Sequence, residues 1–543
     1  MTKQLNTIKI HRYPNQNIFI ILIQIKDYVY LVLYIEDDTS ILLKTIIPSK
    51  KMNCNDSFRK RKKMDTYETL ALFVTNVLFV TVLGWYLITN LQWYDYKLSR
   101  VILKHHKPHW HILYFIIPFV AYHTTGQFFI IFFTFAILPS LFLWHKRLDK
   151  KLVLTWRVKR FLILVVSLTL FQDMLCTLKE CYNYGVFMPL AIAYIGSFMI
   201  EKFLFKVYQK EAKKKLKEMD KLQVIAITGS YGKTSIKNFV AQILSKKYNV
   251  YATPRSVNTL GGIIGDVNNS LPKDTEIYVC EAGARERGDI YEITTFIEPQ
   301  TVVVGKVGEA HIEYFQTLKN IIATKLEIMA SPRLQKAFIH TSVTDEPNEK
   351  VTFFGDELQN IEATLDGIDF EMQLEGEKLS LHTDILGSFQ TMNIAVAIRV
   401  AKEFGMSSKE IIKAVKELQP VEHRLQLIKA GGKIILDDGY NGNIDGMLEG
   451  IRLCSLHEGR KVIVTPGLVE SSDELNLQLI EAINSVYDIV IVTGALNADI
   501  FSKNLKVKNV IMLADKTVLT DVLAKQTKAG DIILFANDAP SFI

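Results

Sequence analysis

The residues best equipped for chemistry lie in VIAITGSYGKTSIKNFVAQIL, residues 224–244. An apolar run ends there in a glycine turn, and the turn opens a helical pattern. Thr228-Gly229-Ser230-Tyr231-Gly232-Lys233-Thr234-Ser235 therefore stands where a phosphate loop belongs. Gly229 and Gly232 let backbone N–H groups close around phosphate oxygens, and a helix N-terminus favours the anion. Lys233 has the reach for the β and γ phosphates, and the Thr234 hydroxyl can ligate magnesium. The longer GxxxxGK[ST] form fails because Ile227 stands five residues before Gly232; the shorter TGxxGKT[ST] form fits.

Such a loop needs a sheet behind it. From Gln223 onward short β-branched runs alternate with amphipathic helical stretches, which predicts a parallel-sheet α/β architecture. Between Arg333 and Leu386 the runs FIHTSV, VTFFG, FEMQLEG and KLSLHTD read as antiparallel strands, a β insertion in that first domain. After Pro420 a second α/β unit begins, with strands at KIILDD, KVIVTPG, DIVIVTG, NVIML and DIILFAN. Upstream the composition changes. Apolar stretches at about residues 69–91, 126–144, 161–178 and 186–205 approach the roughly 20 residues needed to cross a bilayer. A fifth from His111 is shorter and carries Pro118, so it either spans with its neighbour or re-enters. Residues 209–221, QKEAKKKLKEMDK, read as a charged helical linker. The expected organisation is an uncertain extension (1–63), a transmembrane helical region (64–208), the linker (209–221), a nucleotide-binding central domain (222–420) and a C-terminal domain (421–543).

A chain of 543 residues with net charge +7 and no zinc-finger or RNA-binding signature is not a nucleic-acid binder on charge alone. The excess flanks the apolar stretches, as in Lys146, Arg147, Lys150, Lys151 and Lys213 to Lys215, which is the cytoplasmic side of membrane segments. Five widely separated cysteines form no CxxC pair, so neither a disulfide framework nor a zinc site is expected.

The order of motifs after the loop makes the chain specific. TGSYGKTS resembles the ATP loop of the Mur ligases, and CEAGARERGDI, PQTVVVGKVGEAHIEYFQTLKNIIATKLEI, LGSFQTMNIAVAI, HRLQLI and LDDGYNGNIDGM follow in that family's order with wording of the MurF type. The resemblance implies a P-loop Mur ligase central domain with a β insertion and a Rossmann-like C-terminal α/β domain, here preceded by a transmembrane helical region. It also implies ATP and Mg2+, and an amide bond between D-alanyl-D-alanine and a UDP-muramoyl tripeptide, reached through an acyl phosphate. By the same resemblance Glu281, His311 and Thr234 converge on the metal; the plain readings are a surface carboxylate for Glu281 and a capping or core histidine for His311. Lys325 stands where the family has a lysine carbamylated by carbon dioxide, an oxygen ligand that suits magnesium where an ammonium would repel it; the plain reading is a solvated lysine beside Glu327. The nucleotide set is Gly229, Ser230, Gly232, Lys233, Thr234, Ser235, Asn393, Arg424 and Asp438, with Lys233, Lys325 and Arg424 as the catalytic group. Asn258, Tyr440, Asn441 and Asn443 fall on the substrate side.

Departures stand beside the match. Phe389-Gln390 replaces a His-Asn pair, His423 stands where a glycine more often precedes the arginine, and no small N-terminal domain for the UDP end is recognisable. Two rivals follow: a Mur-like ligase for another, lipid-linked carboxylate, and a membrane transporter with a nucleotide-hydrolysing domain. ATP chemistry places the catalytic domains on the cytoplasmic face of a multi-pass inner-membrane protein surrounded by membrane lipid. Counting back through five spans puts Arg59 to Lys63 on the outer side, against the positive-inside rule, so the native chain is expected to start at Met64.

Overall fold

The computed structural model describes the backbone of residues 6–12, 18–25, 28–36, 41–48 and 54–537, and side chains from residue 70. Exceptions are residues 95, 104, 106, 149–150, 179–184, 256, 309–314, 345, 347, 441 and 470, and the side chain of residue 127. The chain divides into two units, Met1–Phe203 and Leu204–Ile543.

In the first unit four strands, β1 (Asn6–Arg12), β2 (Ile18–Ile25), β3 (Tyr28–Glu36) and β4 (Ile41–Pro48), form an antiparallel meander in sequential order. Helices follow. Among the described residues four are long and apolar enough to cross a membrane: Leu70–Trp93, Phe129–Lys146, Trp156–Leu178 and Phe187–Glu218. The fifth expected segment is helical at His109–Thr124, with a π-helical stretch at Ile112–Ile116, and is not among the four. Gly84 makes the first and third of these helices touch: a Cβ there would lie 3.2 Å from Val165 Cγ1. Phe79, Leu83, Phe161 and Val165 are buried around this contact. Asn76 Nδ2 donates to both Asp173 oxygens, at 2.8 and 2.9 Å, so the one buried carboxylate of this contact is hydrogen-bonded.

The second unit holds a parallel sheet of β5 (Gln223–Thr228), β6 (Val250–Ala252), β7 (Ile277–Glu281), β8 (Thr301–Val304), β9 (Lys336–His340) and β10 (Val351–Phe354), in the order β10-β9-β8-β5-β7-β6. β5 sits in the middle, with β7 and β8 alongside in parallel register. Its residues are apolar without alternation because helices cover both faces. On one face the helix Lys233–Leu244 buries Ile236, Phe239, Val240 and Ile243 against β5 and the helix Gln390–Glu403. Burying each such side chain contributes about 2 kcal/mol.

β9 and β10 correct the sequence reading, which placed FIHTSV and VTFFG in an antiparallel insertion. They extend the central sheet in parallel. A strand such as β9, buried from Ala337 to His340, carries no alternation to betray its neighbours. The insertion proper is a three-stranded antiparallel sheet of β11 (Leu358–Thr364), β12 (Gly367–Leu374) and β13 (Glu377–Thr383). A second six-stranded sheet follows: β14 (Gln426–Ala430), β15 (Lys433–Asp438), β16 (Lys461–Thr465), β17 (Ile489–Thr493), β18 (Asn509–Leu513) and β19 (Ile532–Ala536), in the order β14-β15-β19-β16-β17-β18. Only β14 runs antiparallel to its neighbour. Both sheets end their strands toward one cleft, the place where open α/β sheets hold ligands.

Candidate active site

The loop after β5 is built for close backbone approach. Thr228 Oγ1 donates to the Ala282 carbonyl at 2.8 Å and ties the end of β5 to that of β7. Ser230 N–H donates to the Lys306 carbonyl at 3.0 Å, and Ser230 Oγ to that of Gly308 at 3.1 Å. Gly232 caps the following helix at φ +75°, a left-handed conformation that favours glycine, and a Cβ there would lie 2.4 Å from Asn393 Oδ1. The loop and the Asn393 helix are therefore in contact through a position that admits no side chain. Lys233 Nζ donates to the Gly229 and Ser230 carbonyls, at 3.0 and 3.1 Å, and burial pushes its pKa down. The cleft beside the loop measures about 710 Å³ and is lined by Ser230, Gly232, Lys233, Thr234, Ser235 and Asn393 from one side. Arg424, Asp438, Tyr440 and Asn443 line it from the other.

Behind the loop lies a carboxylate node. Glu281, at the end of β7 and 1% exposed, accepts Thr234 Oγ1 at 2.9 Å on Oε2 and Asn258 Nδ2 at 3.1 Å on Oε1. Lys237 Nζ is 3.6 Å from the same Oε2 and donates to the Arg255 carbonyl at 2.5 Å. Its ammonium is 1% exposed, so burial lowers its pKa and the nearby Glu281 raises it. Lys325 is 3% exposed, and burial together with the charge of Lys233 brings its pKa down to about 7. Much of it is then the neutral amine at neutral pH. It is no solvated lysine paired with Glu327: that carboxylate accepts the Gly288 and Tyr291 N–H groups and caps the helix Asp289–Ile297.

The second sheet supplies the rest through its β14–β15 hairpin. Leu425 N–H donates to Asp438 Oδ1 at 3.0 Å, and the Arg424 guanidinium donates to the Tyr440 carbonyl. Asn443 caps the helix Ile444–Ser455, with Oδ1 accepting Gly446 N–H at 2.9 Å. Lys306 and Asp445 close an ion pair of 3.1 Å between the two sides of the cleft.

The structure thus brings most of the expected residues together. Ser230 to Ser235, Asn393, Arg424, Asp438, Tyr440 and Asn443 share one cleft, Glu281 and Asn258 stand behind Thr234, and Gly229 turns the loop. His311 and Asn441 lie outside the described residues. Among the described residues no cluster of three or more His, Cys, Asp or Glu side chains forms. The donors that do converge, a carboxylate and a hydroxyl, are the oxygen ligands that a hard divalent cation takes, so the residues present fit Mg2+. Sequence reasoning missed Lys237, whose signal was a second lysine one helical turn after Lys233, and the His423–Asp437 pair, joined at 2.7 Å.

Residues 227–401 match the Mur ligase middle domain. The chain is similar over 350 residues to the UDP-N-acetylmuramoyl-tripeptide–D-alanyl-D-alanine ligase of Bacillus subtilis, at 28% identity, covering 60% of this chain and 75% of that protein. The chain carries a Mur ligase middle domain over residues 227–401. The Escherichia coli ligase of the same name is 26% identical over 279 residues, 48% of this chain and 62% of its own length. Among solved structures the MurF ligase of Thermotoga maritima in complex with ADP superposes with a TM-score of 0.53 at 27% identity, over 62% of this chain and 80% of that one. A ligase from Acinetobacter baumannii shares the fold at a TM-score of 0.55 and 21% identity, over 62% and 76%. The chain therefore spans three quarters of the Bacillus relative and less than two thirds of the E. coli one.

Proposed function

We propose that the chain is an ATP-dependent ligase that joins D-alanyl-D-alanine to UDP-N-acetylmuramoyl-tripeptide in peptidoglycan precursor synthesis. The observation that carries this reading is one cleft in which the phosphate loop, Asn393, Arg424 and Asp438 meet, in a chain similar to MurF ligases over about 60% of its length. The central domain corresponds to residues 222–420 and the C-terminal domain to 421–543. The apolar helices ahead of them make it a multi-pass protein of the cytoplasmic membrane in contact with lipid, with the ligase unit on the ATP side.

In this reading the N–H groups of the Ser230–Thr234 turn and Lys233 hold the nucleotide phosphates, Asn393 fixes the nucleotide beside Gly232, and Asp438 accepts from the ribose. Arg424 faces the phosphate that moves from ATP to the substrate carboxylate, where a fixed guanidinium stabilises developing charge. Asn258, Tyr440, Asn441 and Asn443 hold the substrate. Mg2+, held by Thr234, Glu281, His311 and a Lys325 carbamate, supplies charge neutralisation at the phosphates. A buried lysine with a pKa of about 7 has the neutral amine that carbon dioxide requires. The reaction requires no side-chain nucleophile; the residues position the groups and keep water from the acyl phosphate.

The test is the full chain in detergent with ATP, UDP-N-acetylmuramoyl-tripeptide and D-alanyl-D-alanine, with product mass as readout and Lys233→Ala as control. ADP release that depends on D-alanyl-D-alanine and a ligated product are expected. ATP turnover indifferent to the amine would overturn the reading in favour of a hydrolysing domain.

A further inference from the structure

Beside the cleft, the hairpin of β14 and β15 carries a histidine in an unusual setting. His423 has φ +59°, in the left-handed region where a non-glycine residue costs about 1–2 kcal/mol. Its backbone carbonyl accepts the Tyr440 N–H at 3.3 Å, and its ring meets the Tyr440 ring edge-on, 4.6 Å between centroids. Nδ1 lies 2.7 Å from Asp437 Oδ2. Asp437 is fully buried, and its other oxygen accepts the Gly439 N–H at 3.1 Å, so the carboxylate is fixed and has a single direction in which to receive a ring proton. The Nδ1–H tautomer follows, which leaves the Nε2 lone pair free to act as a base. Among the described residues Nε2 has no hydrogen-bond partner, and the ring keeps 20% of its surface exposed. Its neighbours Arg424, Asp438 and Tyr440 all line the cleft.

An imidazole oriented by a buried carboxylate, in a strained turn at the edge of a reaction cleft, has the form of a proton acceptor. The ligase reaction needs one. The second step joins an amine to a carbonyl carbon, and the attacking nitrogen must lose a proton as the bond forms. We propose that His423, held by Asp437, accepts this proton at Nε2. This inference rests on the ligase reading given above. The free amine attacks the acyl phosphate carbonyl, the C–N bond forms, and the N–H proton passes to Nε2. The tetrahedral adduct then collapses with cleavage of the C–O bond to phosphate, inorganic phosphate leaves, and the imidazolium returns its proton to solvent. Among the described residues the titratable groups in contact with the ring are Asp437, at 2.7 Å, and Tyr440, at 4.6 Å between ring centroids; Glu422 and Arg424 adjoin it in sequence and Asp438 follows Asp437 on β15.

The experiment uses the full chain and two variants. His423→Asn keeps a donor toward Asp437 without a base, and His423→Gly suits the backbone conformation if the first fails to fold. Amide formation is measured against D-alanyl-D-alanine, and the acyl phosphate is trapped separately with hydroxylamine as the hydroxamate, a reaction that needs no protein base. Loss of a general base is worth about 10²-fold or more. We expect amide formation near pH 7 to fall by about that factor, and the hydroxamate-to-amide ratio to rise at least about tenfold. The deficit should narrow toward pH 9, where solvent hydroxide can take the proton that the attacking nitrogen loses as the C–N bond forms. A ratio within about twofold of wild type in a folded variant, or a deficit that does not change with pH, overturns the inference. If wild type forms neither amide nor hydroxamate, the ligase reading fails instead, so the two failures are distinguishable.

Discussion

Replacing Lys325 with Met should flatten the pH dependence of stability. In the unfolded chain the lysine titrates at its ordinary 10.5, and in the fold at about 7. Between those values the unfolded state carries the extra proton, so stability rises with pH, with a limiting slope of about 1.4 kcal/mol per pH unit. From about pH 7.5 to 9.5 this one group should add roughly 2–3 kcal/mol to the wild-type unfolding free energy. Below about pH 7 the cost of burying the lysine is fully present and the slope from it vanishes. Lys325→Met retains the apolar bulk and removes the titration, so it should gain most at pH 7 and lose its advantage as pH rises. The assay is urea unfolding of the ligase unit in carbon dioxide-free buffer across that range, in parallel for both proteins. Added bicarbonate should stabilise wild type alone, because carbamylation removes the ammonium that burial disfavours. Two pH curves that stay parallel to within about 0.5 kcal/mol would refute the reasoning, since one proton must then be bound equally in both states.

Gly232→Ala should lower stability by about 2 kcal/mol, from the left-handed φ and from displacement of Asn393 and its 2.8 Å bond to Gln390 Oε1, and should weaken ADP binding about tenfold or more. Unaltered ADP affinity by calorimetry would show that the loop tolerates a Cβ. Lys237→Met leaves Glu281 buried without its cation and should cost about 3 kcal/mol in urea unfolding, much of it recovered in Lys237→Met/Glu281→Gln. A single-variant loss under about 1 kcal/mol would mean that the pair is not charged.

Local pattern was enough for much of the molecule. The TGSYGKTS turn, the buried runs of β5, β7 and β8 and the strands from KIILDD to DIILFAN were legible because a glycine turn and an unbroken β-branched run depend on neighbouring residues alone. The apolar helices were legible by length, four by that measure and a fifth too short for it. Which sheet a short strand joins was not. VTFF carries no mark of its partner, and only its parallel register against Ala337 to His340 placed it in the central sheet. The same holds for the site. The types and order of Lys233, Glu281, Asn393, Arg424 and Asp438 stand in the chain, whereas burial and juxtaposition do not. A lysine reads alike whether solvated or enclosed, so the low pKa of Lys325, the Lys237–Glu281 contact and the orientation of His423 by Asp437 exist only once distant segments pack. Sequence by itself determines periodicity and chemical identity, which are local. Desolvation and Coulomb interaction depend on distances through space, and those the tertiary structure alone decided.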